Sequence, residues 1–445
     1  MALSFPDSPA ADSRPQAVSL PEIHRSIAVP TGTSSWKKMA AFAGPGFVIA
    51  VGYMDPGNWA TDLAGGARFG YSLLSVILFS SLLAILLQHL SLKLGIATGR
   101  DLAQACRDHY STPVVWLLWV LCELAIAACD LAEIVGMAIG LKLLFGIPLL
   151  AGCIITGFDV LIVLYLQNKG FRYLEALIVA LIVAIVLCFF IEIYIARPSL
   201  LGVLAGLTPS PQILTNPDML YVSIGILGAT VMPHNLYLHS SIVQTRQIAP
   251  EPAAKREAIR FATIDSTVAL LGATLANAAI LIVAAAVFHF SGHQDVADIQ
   301  TAYRLLTPLL GVGLASTLFA VGLIAAGQNS TLTGTLAGQV VMEGFLRLRM
   351  RPWLRRLLTR AIAIVPAVIV IGFYGEEKTN DLLIASQVAL SAQLGFAVWP
   401  LMRFTGNRAI MGEFVNPPWL RLAGWSATVL IIGLNGMLLV QLLRG

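Results

Sequence analysis

The chain has 445 residues, 57% of them hydrophobic and 12% charged, with a net charge of +4 and a mean hydropathy of +0.80. Soluble domains run at about 45–50% apolar and about 25% charged, so half the usual charge excludes a soluble enzyme, a disordered scaffold and a nucleic-acid binder. A charge of +4 is too small to call for a polyanionic partner.

Residues 1–36 are rich in Pro, Ser, Ala and Asp and contain no apolar h-region. They are not a cleavable signal, and they read as a disordered cytoplasmic tail ahead of a transmembrane domain over 37–445. A membrane-spanning helix needs about 20 mostly apolar residues. Eleven runs qualify, at roughly 41–67, 71–94, 114–143, 148–167, 173–196, 219–243, 261–290, 310–344, 358–373, 381–403 and 422–442. The connections between them leave no room for a soluble catalytic domain, so an enzyme is not expected and no cofactor is needed. Cys106, Cys122, Cys129, Cys153 and Cys188 are odd in number and lack metal-type spacing, and they read as small core residues.

With the N-terminus inside, 22 of the 28 Lys and Arg fall in cytoplasmic pieces and six in outer ones. An error of one span would scramble that asymmetry, so it supports both the count and the direction. The C-terminus is then expected outside, in a multi-pass cell (inner) membrane protein.

Two spans are interrupted. The first contains Asp55-Pro56-Gly57-Asn58 and the sixth Met232-Pro233-His234-Asn235, with Pro and Asn in register. Proline removes a backbone donor and clashes with the turn before it, and glycine adds slack. Such a backbone survives at membrane depth only inside protein or along a cavity. Spans one and six are equivalent if the chain is two five-helix halves, about 41–196 and 219–403, plus an extra helix at about 422–442. Five is odd, so the second half enters inverted. Paired Gly/Pro-interrupted spans point to a transporter site near the midplane.

Asp55 at membrane depth costs about 2.5–3.5 kcal/mol on insertion scales and needs a partner, for which a cation is suited. The breaks free carbonyls around Gly52–Met54 and Ala229–Thr230, and Asn58 adds an amide oxygen. Met232, in register with Asp55, adds a soft thioether, which suits Mn²⁺ or Fe²⁺ and does nothing for Mg²⁺ or Ca²⁺.

These motifs, with Leu236-Tyr237-Leu238-His239-Ser240 and the stretch Gly327-Gln328-Asn329-Ser330-Thr331-Leu332-Thr333-Gly334 running on to Phe345, resemble the Nramp (natural resistance-associated macrophage protein) family over roughly 38–442. The third stretch resembles that family's consensus transport motif, with Asn329 where Ser or Ala is usual. The resemblance implies an all-α membrane protein of the LeuT type and proton-coupled uptake of Mn²⁺ and Fe²⁺, with Cd²⁺ and Co²⁺ among further cargoes. It implies a metal site from Asp55, Asn58, Met232 and the Ala229 carbonyl. The Gly52 carbonyl joins in some states, and Gln387 when the ion is occluded.

Span three carries Glu123, Asp130 and Glu133 within about 80–100° of one helix face, at about 100° per residue. Intramembrane acids of this kind mark proton relays. His234 lies beside the proposed site, and Arg360 is placed to balance the acids. The family resemblance ties Asp55, His234, Asp130, Glu133 and Arg360 to proton movement. His239 reads as structural, His289 and His293 as solvated, and Asp265 and Asn277 as bundle-facing, with Asn277 near an outer vestibule. A monomer is expected, with metal ions, protons and the bilayer as its partners. The rival reading is a sodium-coupled amino-acid transporter of the same architecture, which needs a glycine-rich break in place of Asp55 so that a substrate carboxylate can dock.

Overall fold

The computed structural model describes residues 18–30, 34–158, 171–294, 298–310, 315–348, 350–375 and 378–444. Its α-helices of eight residues or more, numbered in chain order, are α1 (Ser35–Phe42), α2 (Pro45–Gly52), α3 (Pro56–Phe69), α4 (Leu74–Thr98), α5 (Leu102–His109), α6 (Thr112–Phe145), α7 (Leu149–Thr156) and α8 (Phe171–Ala196). They continue as α9 (Pro217–Thr230), α10 (Pro233–Ile242), α11 (Pro252–Ala284), α12 (Ile299–Leu310), α13 (Ala315–Leu346), α14 (Pro352–Tyr374), α15 (Thr379–Thr405) and α16 (Pro418–Arg444).

Each expected span falls mainly on helix where its residues are described, the two breaks excepted. The span at 148–167 does so only through α7, its remainder lying outside the described residues. Seven stretches are long and apolar enough to cross a membrane by length and composition alone. α13 is not among them, because its 32 residues carry the polar run from Gln328 to Gln339. The apolar part of α14 is limited to Leu358–Phe373.

Both interrupted spans are two helices. Pro56 and Pro233 each occupy the first turn of a new helix, α3 and α10, rather than kinking an old one. That placement follows from proline itself: its fixed φ suits a first turn, where its missing N–H is not needed. Asp55 caps α3, its side chain accepting from the Asn58 N–H at 2.8 Å. Met232 takes the corresponding cap position of α10 without a side-chain bond.

α2 is tethered at its start. The Asp265 carboxylate of α11 accepts the Gly44 and Gly46 N–H groups at 3.2 and 2.7 Å, as expected for an anion at a helix N-terminus. Arg246 is fully buried. It donates to the Ala41 and Ala43 carbonyls and pairs with Glu175 at 2.9 Å.

The tail corrects one expectation. Residues 18–30 are not free but lie across the end of the bundle that carries α1 and α5. The Ser19 hydroxyl donates to Asp101 at 2.6 Å and the Leu20 N–H to Glu343 at 2.9 Å. Ile27 forms a bridge beside Arg246. The composition misled because this segment is held by polar bonds to helix ends and buries one large apolar side chain, Leu20. The structure also adds α12, an amphipathic helix just ahead of the span expected at 310.

Candidate functional site

The two breaks face each other inside the bundle. Asp55, Met232 and Gln387 are 0% exposed and Asn58 is 1% exposed, so the site is shut off from water on both sides. The Asn58 amide nitrogen lies 2.7 Å from Asp55 Oδ1, 3.2 Å from the Ala229 carbonyl and 3.5 Å from the Gly52 carbonyl. Three oxygens, one carboxylate and two carbonyls from the two breaks, thus converge on one atom. The carbonyls are available because α2 and α9 end there, leaving their last C=O groups without helical partners. The Met232 sulfur lies 3.7 Å from Asn235 Nδ2, and Met232 packs in one cluster with Ala125, Cys129 and Leu390. Cys129 Sγ is in turn 3.9 Å from Asp55 Oδ2, which brings the thioether and the carboxylate to the same neighbour.

Gln387 reaches the site where glycines make room. A Cβ on Gly57 would sit 1.9 Å from Gln387 Nε2, and one on Gly228 would sit 2.1 Å from the Gln387 carbonyl. α15 can therefore lie against both breaks at once. The Oε1 of Gln387 has no hydrogen-bond partner. Among the described residues no group of three His, Cys, Asp or Glu is placed to hold a metal ion by itself. A cation here would be held by carboxylate, amide, carbonyl and thioether, a set that favours a transition metal over Mg²⁺ or Ca²⁺.

A chain of acids leads away along α6. Cys129 Sγ lies 3.7 Å from Glu133 Oε1 and so stands between Asp55 and Glu133. Glu133, fully buried, accepts from the Ser330 hydroxyl at 2.7 Å and the Thr331 hydroxyl at 3.1 Å, and pairs with Arg360 at 3.1 Å. Arg360 also reaches Thr331 and, at 3.4 Å, the Asp130 carbonyl. Asp130 is fully buried, as is His234, whose Nδ1 has no hydrogen-bond partner. Glu123 stands apart, in the first half of α6, paired with Arg355 at 2.9 Å. Arg360 therefore balances Glu133, and a different arginine serves Glu123.

Four participants were not read as such from sequence. Cys129 passed as a core residue, although it lies one helical turn from Glu133. Ser330 and Thr331 were noted only as motif letters. Asn277, expected near an outer vestibule, instead touches the break itself, donating to the Tyr53 carbonyl at 2.8 Å and to Asn58 Oδ1 at 3.2 Å. His239 is buried, with Nδ1 2.8 Å from Gln88 Oε1, and Gln88 donates to the Tyr53 hydroxyl at 2.8 Å. That set ties α2, α4 and α10 together and agrees with a structural His239. His289 is held by the Ala67 carbonyl at 3.0 Å rather than being simply solvated.

A profile of the family described as Nramp, natural resistance-associated macrophage protein-like, matches residues 46–441. A divalent metal cation transporter MntH from Nostoc sp. is 62% identical over 427 residues, covering 96% of this chain and 97% of that protein. One from Xanthomonas campestris is 60% identical over 432 residues, covering 97% of each. Among solved structures, the Eremococcus coleocola manganese transporter superposes with a TM-score of 0.87 at 43% identity, over 94% of this chain and 90% of that one. MhsT in complex with L-phenylalanine superposes with a TM-score of 0.58 at 15% identity, over 89% of this chain and 97% of that one. That second likeness shows the fold alone, which is of the LeuT type.

Proposed function

The chain belongs to the Nramp family and is a multi-pass membrane protein that transports metal ions; from that premise we propose that it takes up Mn²⁺ and Fe²⁺, with Cd²⁺ and Co²⁺ as further cargoes, into the cytoplasm together with protons, by alternating access. The observation that carries this reading is the convergence of Asp55 Oδ1 and the Ala229 and Gly52 carbonyls on one buried point at two helix breaks.

In this reading the ion enters from outside and is gripped by Asp55, Asn58, Met232 and the Ala229 carbonyl, with the Gly52 carbonyl and Gln387 completing the shell as the bundle closes. A dication bound to a carboxyl favours its ionised form and displaces its proton. The acid chain from Asp55 through Cys129 to Glu133 and Arg360 supports an exit for that proton toward the cytoplasm, with Asp130 and His234 beside it. Glu123, paired with Arg355, lies further toward the start of the same helix. The bundle end that carries α1, α5 and the Arg347–Arg360 stretch is then cytoplasmic, in keeping with the Lys and Arg bias, and the C-terminus is outside. The fold is the cell (inner) membrane's, and the working unit is the monomer.

The amino-acid reading is disfavoured by charge. Asp55 caps α3, where a substrate carboxylate would have to dock, and like charges at a dry helix terminus repel. Transport assays in proteoliposomes, with and without an imposed pH gradient, test the proposal. The expected result is Mn²⁺ influx that is competed by Cd²⁺, unaffected by amino acids, and accelerated by an acidic exterior. Influx indifferent to the pH gradient would remove the proton from the scheme.

A further inference from the structure

Asn58 has two faces. Its Nδ2 points at the three converging oxygens and its Oδ1 points at Asn277. To bind a cation, Asn58 must present oxygen to that centre, because an amide NH₂ has no lone pair to give. Turning the amide by 180° leaves the backbone in place and swings its NH₂ toward Asn277. Asn277 at present meets it with its own Nδ2, and two N–H groups face to face repel.

The side chain of Asn277 also carries an oxygen, and Oδ1 has no hydrogen-bond partner although the residue is 1% exposed. An unused acceptor of this kind is expensive in a dry interior. Here it lies on the one neighbour that must change from donor to acceptor when Asn58 turns. The two amides are complementary in both settings, provided they turn together.

We propose that Asn277 is a positioning residue that sets which face Asn58 shows to the cation. The inference rests on the metal-site reading above. It has a consequence at the break. Asn277 Nδ2 also donates to the carbonyl of Tyr53, the residue that closes α2. When Asn277 turns its oxygen to Asn58, that carbonyl loses its donor, and the end of α2 is released. Occupancy of the site is thereby passed to the half-helix that Asp265 and Arg246 hold at its other end.

The test is a double-mutant cycle on Mn²⁺ affinity, by titration calorimetry on the full-length protein in detergent. Asn277→Leu fills the same space without polar atoms and is expected to weaken binding about tenfold, the scale of one buried hydrogen bond. In an Asn58→Ala background there is no amide to orient, and Asn277→Leu should change affinity less than twofold. Asn277→Asp can only accept from Asn58, so it should bind at least as tightly as wild type. It should also label faster than wild type at a cysteine introduced in α2, because the Tyr53 carbonyl has lost its donor.

Equal losses from Asn277→Leu in both backgrounds would make Asn277 a structural residue and overturn the inference, as would wild-type affinity in Asn277→Leu. Undiminished binding by Asn58→Ala alone would instead sink the metal-site reading beneath it. Should Asn277→Leu fail to fold, Asn277→Ser enters the same cycle with the same expectations.

Discussion

At the scale of single residues, the site depends on which side chains are soft and which are hard. Every oxygen around Asn58 Nδ2 would accept Ca²⁺ or Mg²⁺ as readily as Mn²⁺, since hard cations take carboxylates and carbonyls. The Met232 thioether is the element of the set that hard ions cannot use. Met232→Ala is therefore expected to keep Mn²⁺ transport within about tenfold while admitting Ca²⁺ or Mg²⁺, read as ⁴⁵Ca²⁺ influx in proteoliposomes. Unchanged exclusion of Ca²⁺ would show that selectivity comes from cavity size alone. Asp55→Asn should abolish Mn²⁺ flux, because among the described residues Asp55 supplies the one carboxylate at the convergence point.

Sequence was informative about these residues because each breaks a rule. An Asp in an apolar run and a Pro in mid-helix are conspicuous, and their repetition at 232–235 is more so. Cys129 and Asn277 break no rule. A cysteine in an apolar helix looks like packing, and a single Asn in α11 reads as bundle-facing without naming the residue it meets. Their roles arise from which helices meet, which periodicity does not determine.

At the scale of elements, α13 explains its own motif. The small and hydroxylated residues let it lie close along α6 and feed hydrogen bonds to Glu133. A Cβ on Gly338 would sit 1.9 Å from the Arg355 guanidinium, so that glycine makes room for the arginine that serves Glu123. Arg360 and Glu133 are a fully buried pair, and removing one partner of such a pair costs about 3–5 kcal/mol. Arg360→Met should therefore lower the melting temperature, and Glu133→Gln added to it should restore much of the loss, because the uncompensated charge is then gone. Differential scanning fluorimetry in detergent decides this, and a double variant no better than Arg360→Met would mean that the loss is steric.

The short helix α5 carries a second testable charge. Asp101 caps it, accepts from Gln104 N–H at 2.8 Å and from the Ser19 hydroxyl, and is 1% exposed. Burial raises its carboxyl to about 6, against the pull of those two hydrogen bonds. Between its unfolded value near 4 and about 6 the folded state holds a proton that the unfolded chain has lost. Its contribution to stability therefore grows as pH falls through 6 and disappears as pH rises above it. Two pH units of this kind amount to about 2–3 kcal/mol. Asp101→Asn keeps the cap but cannot titrate. Wild type minus Asp101→Asn melting temperature should become more positive from pH 7.5 to pH 5, and a difference flat across that range would contradict the burial argument.

At the scale of the whole molecule, one end of the bundle is laced shut by its own N-terminal segment. Residues 18–30 touch three separate pieces: Asp101 at the start of α5, Glu343 near the end of α13, and residues 244–247 after α10. Leu20 and Arg25 adopt left-handed backbone angles, φ 51° and 52°, which cost a residue with a Cβ about 1–2 kcal/mol each. Such angles persist only where surrounding contacts over-determine them. In the chain the strap precedes α1 and α2, the latter being the half-helix whose far end closes the site. Arg246, bridged to Ile27 of the strap, holds the Ala41 and Ala43 carbonyls just ahead of α2, so the strap braces the anchor that α2 would leave if the site opened toward this end. Each strap bond is worth about 1 kcal/mol net, so removing several shifts a closed-to-open equilibrium by tenfold or more. Deleting residues 1–30 should therefore speed labelling of a single cysteine placed at Ala50, in a background lacking the five native cysteines. The expected gain is at least several-fold for an impermeant thiol reagent supplied from the α1 side, with little change from the opposite side. Ser19→Ala should produce a smaller rise in the same direction. A truncated chain that labels within twofold of the full-length one would leave the closure to Arg246, Asp265 and the Tyr53–Gln88–His239 set, and the strap would be only a passive covering of that end.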